Sequence, residues 1–423
     1  MSNAITAITM PKWGLTMTEG TVVGWLKQQG QDFAEGEEIL EIETPKITNV
    51  VEASSAGTLR RIVAAAGTTL PVGGLLAVLA ADEVPEAEID TFVAGFEVPE
   101  PSAGEEAEAE GVKPRDIEVA GRRLRYLEFG QGDGAPVLLV HGFGADLNTW
   151  MFTQPALAAT RRAVALDLPG HGGSVKDVGA GNAEGLTDAV EGVREALCIE
   201  RVHLVGHSMG GAIATLAALR RPERVASLTL VASAGLGPEI NASFIDGFVR
   251  ASRRREAVEV LGLLVDDPAL VSRAMVEDVL RYKRLDGVAL ALAKIAAAWF
   301  PGGRQSLDLT GRIGALTMPV QLVWGRNDRI IPVAHGEALA AHLPVHILDA
   351  AGHLPHMEKA GEVSRLIERF ISLSRGRRLE ERPIGTEILF YNQLVIMIPP
   401  ARAGRRDTPL REGSGRAAGC SHL

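Results

Sequence analysis

The amino-acid sequence predicts a multidomain chain, in which a small all-β flattened barrel precedes an α/β domain with a parallel sheet and a helical cap. Three observations carry this reading. The first eighty residues hold an internal repeat of strand-length segments. From residue 117 onward, continuous apolar runs alternate with helical segments. Between the two lies an acidic stretch that has no means of burying a core. A length of 423 residues suits two or three domains.

The repeat appears when residues 20–42 are laid over 57–79. Gly20 then aligns with Gly57, Thr21 with Thr58, Gly30 with Gly67 and Gly36 with Gly73. Apolar positions also correspond: Val22 with Leu59, Leu26 with Val63, Ile39 with Leu76 and Ile42 with Leu79. Alternating apolar residues between glycines indicate short strands and turns. Two such halves packed face to face give a flattened barrel over residues 1–80, and the residues joining them form a hairpin at one end.

Residues 81–115 are dominated by Ala, Glu, Pro and Gly, as in the run Pro99-Glu100-Pro101-Ser102. Such a segment repels itself and is expected to be a flexible linker, with a short helix near 86–96 carrying little weight. The α/β domain is expected over 116–373. Its strands are 117–119, 123–129, 136–140, 162–167, 201–205, 226–231, 319–324 and 344–348. Six of these, 136–140 and the five from 162 onward, are apolar without polar alternation, as parallel strands covered on both faces are. Residues 209–220 form a helix between two of them. Helical periodicity alone between about 235 and 312 indicates a cap inserted before strand 319–324. The tail, 374–423, clusters Arg and Gly at both ends around one apolar run and is expected to be poorly ordered.

Composition excludes several classes. The formal net charge of -10 disfavours nucleic acid and anionic membranes as partners. The two cysteines, Cys198 and Cys420, sit in unlike contexts, which implies no disulfide framework and a reducing compartment. No basic segment followed by an apolar run opens the chain, and no apolar stretch approaches the roughly 20 residues that span a bilayer. The expected location is the cytoplasm. No His/Cys cluster has metal-ligand spacing, and no glycine-rich loop has a dinucleotide or P-loop pattern.

Where the half-repeats meet stands Glu43-Thr44-Pro45-Lys46-Ile47. Proline at the second position of a turn pre-sets its dihedral, so Lys46 projects from a tight hairpin tip, as the attachment point of a swinging arm must. Residues 5–80, including Gly36-Glu37 and Ala56-Gly57-Thr58-Leu59, resemble the biotinyl/lipoyl attachment domains. Biotin carriers flank the lysine with methionines, whereas Pro45 and Ile47 stand here. The resemblance therefore implies lipoate, bound covalently to Lys46. An ordinary solvated turn lysine is the plainer alternative.

Strand 201–205 runs into Gly206-His207-Ser208-Met209-Gly210-Gly211 and then into a helix. A G-x-S-x-G string in a strand–turn–helix setting lifts the Ser208 hydroxyl to a helix N-terminus, where free amides favour a developing oxyanion. Two further residues follow strand ends in the order acid, histidine: Asp328 after 319–324 and His353 after 344–348. With Asp167-Leu168-Pro169-Gly170-His171-Gly172 and His141-Gly142-Phe143-Gly144, residues 117–373 resemble the α/β-hydrolases. That resemblance implies Ser208 as nucleophile, His353 as its base, Asp328 as the orienting acid, and the amides of Phe143 and Met209 as the oxyanion hole. His141, His171 and His356 are read as structural, His207 as the variable position of the elbow. Asp167 and Asp349 also end strands but lack the order and spacing of the acid.

A lipoyl carrier joined to an acyl-transfer site resembles the acetyltransferase components of acetoin dehydrogenase complexes. The resemblance implies transfer of an acetyl group from S-acetyldihydrolipoyl-lysine to coenzyme A. It also implies a thiamine-diphosphate-dependent acetoin-cleaving component and dihydrolipoyl dehydrogenase as partners, in a homo-oligomer. The cluster Ser252-Arg253-Arg254-Arg255 in the cap is either a phosphate contact for coenzyme A or, more simply, a solvated helix face. Two alternatives stay open: a thioesterase or esterase that carries a lipoyl domain, and a non-catalytic carrier or scaffold.

Overall fold

The structure is a computed structural model that describes residues 5–11, 17–44, 48–53, 55–98 and 113–375. Lys46 and the tail from 376 lie outside the described residues.

The N-terminal region folds as two four-stranded antiparallel sheets. One takes β1 (Ile5–Thr9), β8 (Leu75–Ala80), β6 (Gly57–Ile62) and β3 (Asp32–Phe33), in that order. The other takes β5 (Thr48–Glu52), β4 (Glu38–Glu43), β2 (Glu19–Trp25) and β7 (Thr69–Pro71). The sequence repeat becomes a structural one, hydrogen bond by hydrogen bond. The Gly30 amide donates to the Leu59 carbonyl and the Gly67 amide to the Val22 carbonyl, both at 2.7 Å. Val22, Leu59, Ile39 and Leu76 are all buried in one core. Leu26 and Val63 correspond too, but on the outside. Both are exposed, and their amides donate to the equivalent carbonyls of Ile39 and Leu76. Symmetry thus preserves backbone pairing at these two positions rather than burial.

β4 and β5 pair antiparallel from Glu38↔Glu52 to Glu43↔Thr48. The segment containing Lys46 is therefore the connection of a hairpin between the two half-repeats.

The acidic segment after residue 80 is not extended throughout. Residues Glu86–Ala94 form a helix that buries Ile89 with Leu75, Val78 and Val84. Arg60 and Arg61 hold Glu86 at 2.8 and 2.6 Å, and Arg61 reaches Asp90 at 2.8 Å. The acidic side chains there meet arginines from β6, so the self-repulsion expected from composition is locally cancelled.

The α/β domain has an eight-stranded sheet. Its strands are β9 (Arg115–Val119), β10 (Arg122–Phe129), β11 (Val137–Val140), β12 (Ala163–Leu166), β13 (Val202–His207), β14 (Val225–Val231), β15 (Val320–Gly325) and β16 (Val345–Leu348). The order across the sheet is β16-β15-β14-β13-β11-β12-β10-β9. The six strands from β11 to β16 are parallel. Five of them are buried along their whole length, and only the edge strand β16 is partly open. Helix Met209–Arg220 lies against β13 and is buried along ten of its residues. On the other face, Val363, Ile367 and Ile371 of helix Ala360–Arg375 recur at helical spacing and pack with Leu139, Ala163 and Val205.

Chain direction reverses between β11 and β13. From β11 the chain moves outward to β12, then returns past it to β13. The crevice between the carboxyl ends of β11 and β13 is the switch point where open α/β sheets place their sites. The cap follows β14. Its helices Ala242–Arg250, Arg254–Leu261, Arg273–Lys283 and Val288–Trp299 precede β15, joined by one isolated antiparallel bridge between Glu239 and Arg304. Two ion pairs link the barrel to the end of this domain: Lys359 with Glu38 at 2.7 Å, and Arg365 with Glu52.

Candidate active site

β13 ends at His207, and helix Met209–Arg220 starts one residue later, so Ser208 must turn the chain within a single residue. It does so at φ 52°, ψ -121°. A non-glycine residue there stores roughly 1–3 kcal/mol of strain, held in place by its surroundings. Close approach makes the flanking glycines obligatory. A Cβ on Gly206 would stand 2.4 Å from the Gly210 carbonyl oxygen, and one on Gly210 would stand 2.3 Å from that of Val140. Ser208 is 7% exposed and faces a cavity of about 800 Å³, also lined by His353 and Phe143. Met209 opens the helix, so its amide belongs to the first turn, which has no carbonyl of its own helix to meet.

Asp328 and His353 come from the turns after β15 and β16. The His353 Nδ1 lies 2.8 Å from one Asp328 carboxylate oxygen, and both side chains are buried. The other oxygen of Asp328 accepts from the amides of Ile330 and Ile331 at 2.8 and 3.0 Å. Nδ1 is thereby committed to the carboxylate, which leaves Nε2 as the nitrogen available to a reacting group. The structure thus pairs Asp328 with His353, the two residues that sequence order singled out, and His353 lines the same cavity as Ser208.

Two residues outside the expected trio hold His353 in place. His207, read from sequence as a variable position, donates from Nε2 to the His353 carbonyl at 2.8 Å. Glu358 is buried and accepts from the amides of Gly352 at 2.9 Å, Leu354 at 3.3 Å and Asp266 at 2.6 Å. Burial pushes its carboxyl up to about 7, against the lowering effect of those three amides. The signal that points to Glu358 is its position: an acid five residues past His353, at the end of the short helix Pro355–Glu358.

The remaining candidates are structural. The His141 Nε2 accepts from the Leu168 amide at 3.0 Å, and its Nδ1 donates to the Gly142 carbonyl. His171 does the same between the Gly144 amide and the Pro169 carbonyl. Together they fix the loop that carries Phe143. His356 bonds Thr149 at 2.8 Å and lies against Trp150. Burial drives all three imidazoles toward neutrality, His141 down to about 4 and His356 to about 3. Asp167 accepts from the amides of Leu147 and Gly173, and Asp349 turns outward to Arg326. Arg253, Arg254 and Arg255 do not line the cavity. Arg254 pairs with Glu277 and Arg255 with Glu259, while Arg253 opens helix Arg254–Leu261 in a capping box with Glu256. The solvated-face reading is the one observed.

Comparison with known proteins agrees with this architecture. A family model for the α/β hydrolase fold matches residues 135–360, and one described as biotin-requiring enzyme matches residues 6–79. A protein of Pseudomonas putida, the dihydrolipoyllysine-residue acetyltransferase component of its acetoin cleaving system, is 47% identical over 87% of this chain and 98% of its own length. The chain belongs to that acetyltransferase family. A second member, from Cupriavidus necator, is 45% identical over 88% of this chain and 98% of its own length. For the hydrolase half, the meta-cleavage product hydrolase of Pseudomonas fluorescens gives a TM-score of 0.57 at 24% identity, covering 62% of this chain and 98% of that one. That last likeness concerns the fold alone.

An acetyltransferase component of this kind carries lipoate, and the barrel fits the group. The strands β4 and β5, which flank Lys46 in sequence, pair antiparallel as far as Glu43 and Thr48, and the two equivalent halves share one core.

Proposed function

We propose that this chain moves an acetyl group from S-acetyldihydrolipoyl-lysine at Lys46 to coenzyme A, using Ser208, His353 and Asp328. Lipoate amide-linked to Lys46 would supply the thiol on which the acetyl group arrives as a thioester. The observation that carries the reading is the Asp328–His353 pair, whose histidine lines the cavity that Ser208 faces, in a chain that also bears the carrier barrel.

Ser208 attacks the acetyl carbonyl while His353 Nε2 takes the hydroxyl proton. Asp328 holds the tautomer and stabilises the imidazolium. The amides of Phe143 and Met209 receive the developing oxyanion. The C–S bond breaks, His353 returns the proton to the departing thiolate, and an acetyl ester remains on Ser208. The coenzyme A thiol then gives its proton to His353 and attacks the ester, and Ser208 recovers its proton as the new thioester leaves. Atoms and charge balance without an added oxidant or reductant. We further assign the chain to the cytoplasm, as a homo-oligomer served by a thiamine-diphosphate-dependent acetoin-cleaving component and a dihydrolipoyl dehydrogenase.

The test is partitioning. Acetyl-dihydrolipoamide is supplied, coenzyme A is varied, and acetyl-coenzyme A is measured against free acetate. Acetyl-coenzyme A is expected to dominate at saturating coenzyme A. Acetate as the main product would make the protein a thioesterase and end the transferase reading.

A further inference from the structure

The cavity at Ser208 continues away from the acyl site toward the β10 side of the sheet, where four cationic side chains line it: Arg123, Arg125, Lys176 and Arg281. In a chain of net charge -10, such a wall is not the background composition. The register of the sheet fixes its level. The Asp167 amide, just past the end of β12, donates to the Arg125 carbonyl, and Val140 at the end of β11 pairs with both Leu166 and Gly206. Arg125 and Ser208 therefore lie along the same carboxyl-end rim. From β13 to β10 there are three interstrand spacings, about 14 Å.

The charges are arranged around an opening. Gly173 lacks the side chain that would collide with the Arg125 guanidinium, since a Cβ there would lie 2.3 Å from it. The Arg125 Nε is 3.6 Å from Asp116 and, buried, has no hydrogen-bond partner. Arg123 pairs with Asp116 at 2.7 Å and Arg281 with Asp278 at 3.2 Å, yet both side chains are more than half exposed. Lys176 donates to the carbonyls of His171, Gly172 and Ser174 and sits 5.7 Å from the Tyr282 ring. The acids that line the same cavity are Asp146, Asp167 and Asp278. From the cap, Phe248, Met275 and Val279 add apolar side chains to the lining.

We infer that Arg123, Arg125 and Arg281 seat the phosphates of the coenzyme A nucleotide, with the pantetheine arm running under the cap residues Phe248, Met275 and Val279 to Ser208. This rests on the transferase reading above. A pantetheine arm is about four peptide-like repeats long, roughly 14 Å when extended, which matches the three-strand offset. Guanidinium groups on a half-open rim suit phosphates, which they bind by charge-assisted, forked hydrogen bonds. The acylated lipoyl arm is uncharged and makes no use of the wall, so the same cavity takes both acyl carriers while the cations act on one of them. The cap cluster 252–255, which sequence alone offers for this task, faces elsewhere. The residues the structure assigns are scattered from 123 to 281.

The experiment uses the full chain with acetyl-dihydrolipoamide as donor and compares coenzyme A with pantetheine, which lacks the nucleotide and its phosphates. Arg281→Ala and Arg123→Ala are each expected to raise KM and Kd for coenzyme A roughly fivefold to tenfold, more in the double variant. The preference for coenzyme A over pantetheine should fall by the same factor. Arg281→Lys should recover part of it, and Asp278→Asn, which removes a competing carboxylate, should tighten coenzyme A. Unchanged coenzyme A affinity in the double variant, with acetyl-coenzyme A still formed, would overturn the phosphate seat alone. An equal loss for pantetheine would also overturn it, by showing a change in cavity shape. Acetate as sole product, with coenzyme A binding weakened in the variants, would remove the transferase reading and keep the seat.

Discussion

The barrel and the α/β domain solve opposite problems. Among the described residues of the barrel, positive φ angles occur only at glycines, at positions 30, 36, 67 and 73, and one half repeats the other. The α/β domain places five non-glycine residues in that region: Ala120, Cys198, Ser208, Ala232 and Ala350. All ten histidines of the chain also fall after residue 140. A carrier needs a regular frame that presents one lysine. A catalyst needs a few side chains forced into unfavourable settings and braced there. Ser208 is the one of these five that lines the cavity, and the buried histidines lie in the same domain.

The sharpest way to break this division is Ser208→Ala. Acetyl transfer to coenzyme A should fall by about three orders of magnitude or more. Attachment of lipoate to Lys46, read by intact mass, should be unchanged. Near-normal transfer would mean that His353 activates the acceptor thiol directly and that the strained elbow is dispensable.

Acid should separate the domains next. His141, His171, His207 and His356 are held neutral by burial, below the ordinary 6.5. Their folded-state pKa values are lowered, so the stability they contribute is complete above pH 6.5 and is lost as pH falls toward 4. Asp167 and Glu358, pushed up to about 7, act in the other sense: their contribution is present at low pH and is lost as pH rises through 7. His346 is lowered too, and Glu191 and Glu368 are raised, by partial burial, which leaves the four buried imidazoles as the larger set. Unfolding of the α/β domain should cost less free energy as pH falls from 6 to 5. The histidine-free barrel should show no matching loss, which domain-resolved hydrogen exchange can check.

Glu358→Gln probes the bracing itself. The amide nitrogen is no acceptor, so at least one of three buried N–H groups loses its partner, at about 1–3 kcal/mol of stability. A fall in kcat larger than any rise in KM is expected, since the loop carrying His353 would shift while the cavity stays. Unaltered stability and kcat would show that His207 alone suffices. The smallest effect belongs to the seam between the domains. Replacing both Lys359 and Arg365 by Ala should cost about 1 kcal/mol or less, visible as easier release of the barrel at low salt.

Much of this division is legible before any coordinates. The eight strands of the α/β sheet lie within two residues of their expected places, and for β11 to β15 the reason is that fully buried parallel strands read as unbroken apolar runs. Asp328 and His353 are marked by chain order after strand ends. His207 and Glu358 are not. The bond from His207 to the His353 carbonyl spans 146 residues, and no local pattern encodes which carbonyl a buried ring will reach. The cationic wall has the same character. Arg123, Lys176 and Arg281 are unrelated in sequence and become neighbours only when the cap closes over β10. The helix Glu86–Ala94 is legible near 86–96 but carries little weight in the sequence, because its composition is that of a linker and its partners Arg60 and Arg61 lie on β6.

The rung at which the barrel meets its neighbour has one more consequence. Glu38 and Glu52, which pair with Lys359 and Arg365, are themselves cross-strand partners at the end of the hairpin opposite Glu43 and Thr48. Five residues of strand separate the two ends, about 17 Å. The hairpin is thus moored at the end away from Glu43 and Thr48. Each mooring is a partly exposed ion pair of at most about 1 kcal/mol, little more than the thermal energy. Salt that screens these two pairs therefore loosens the mooring, so ionic strength sets how firmly the barrel is held.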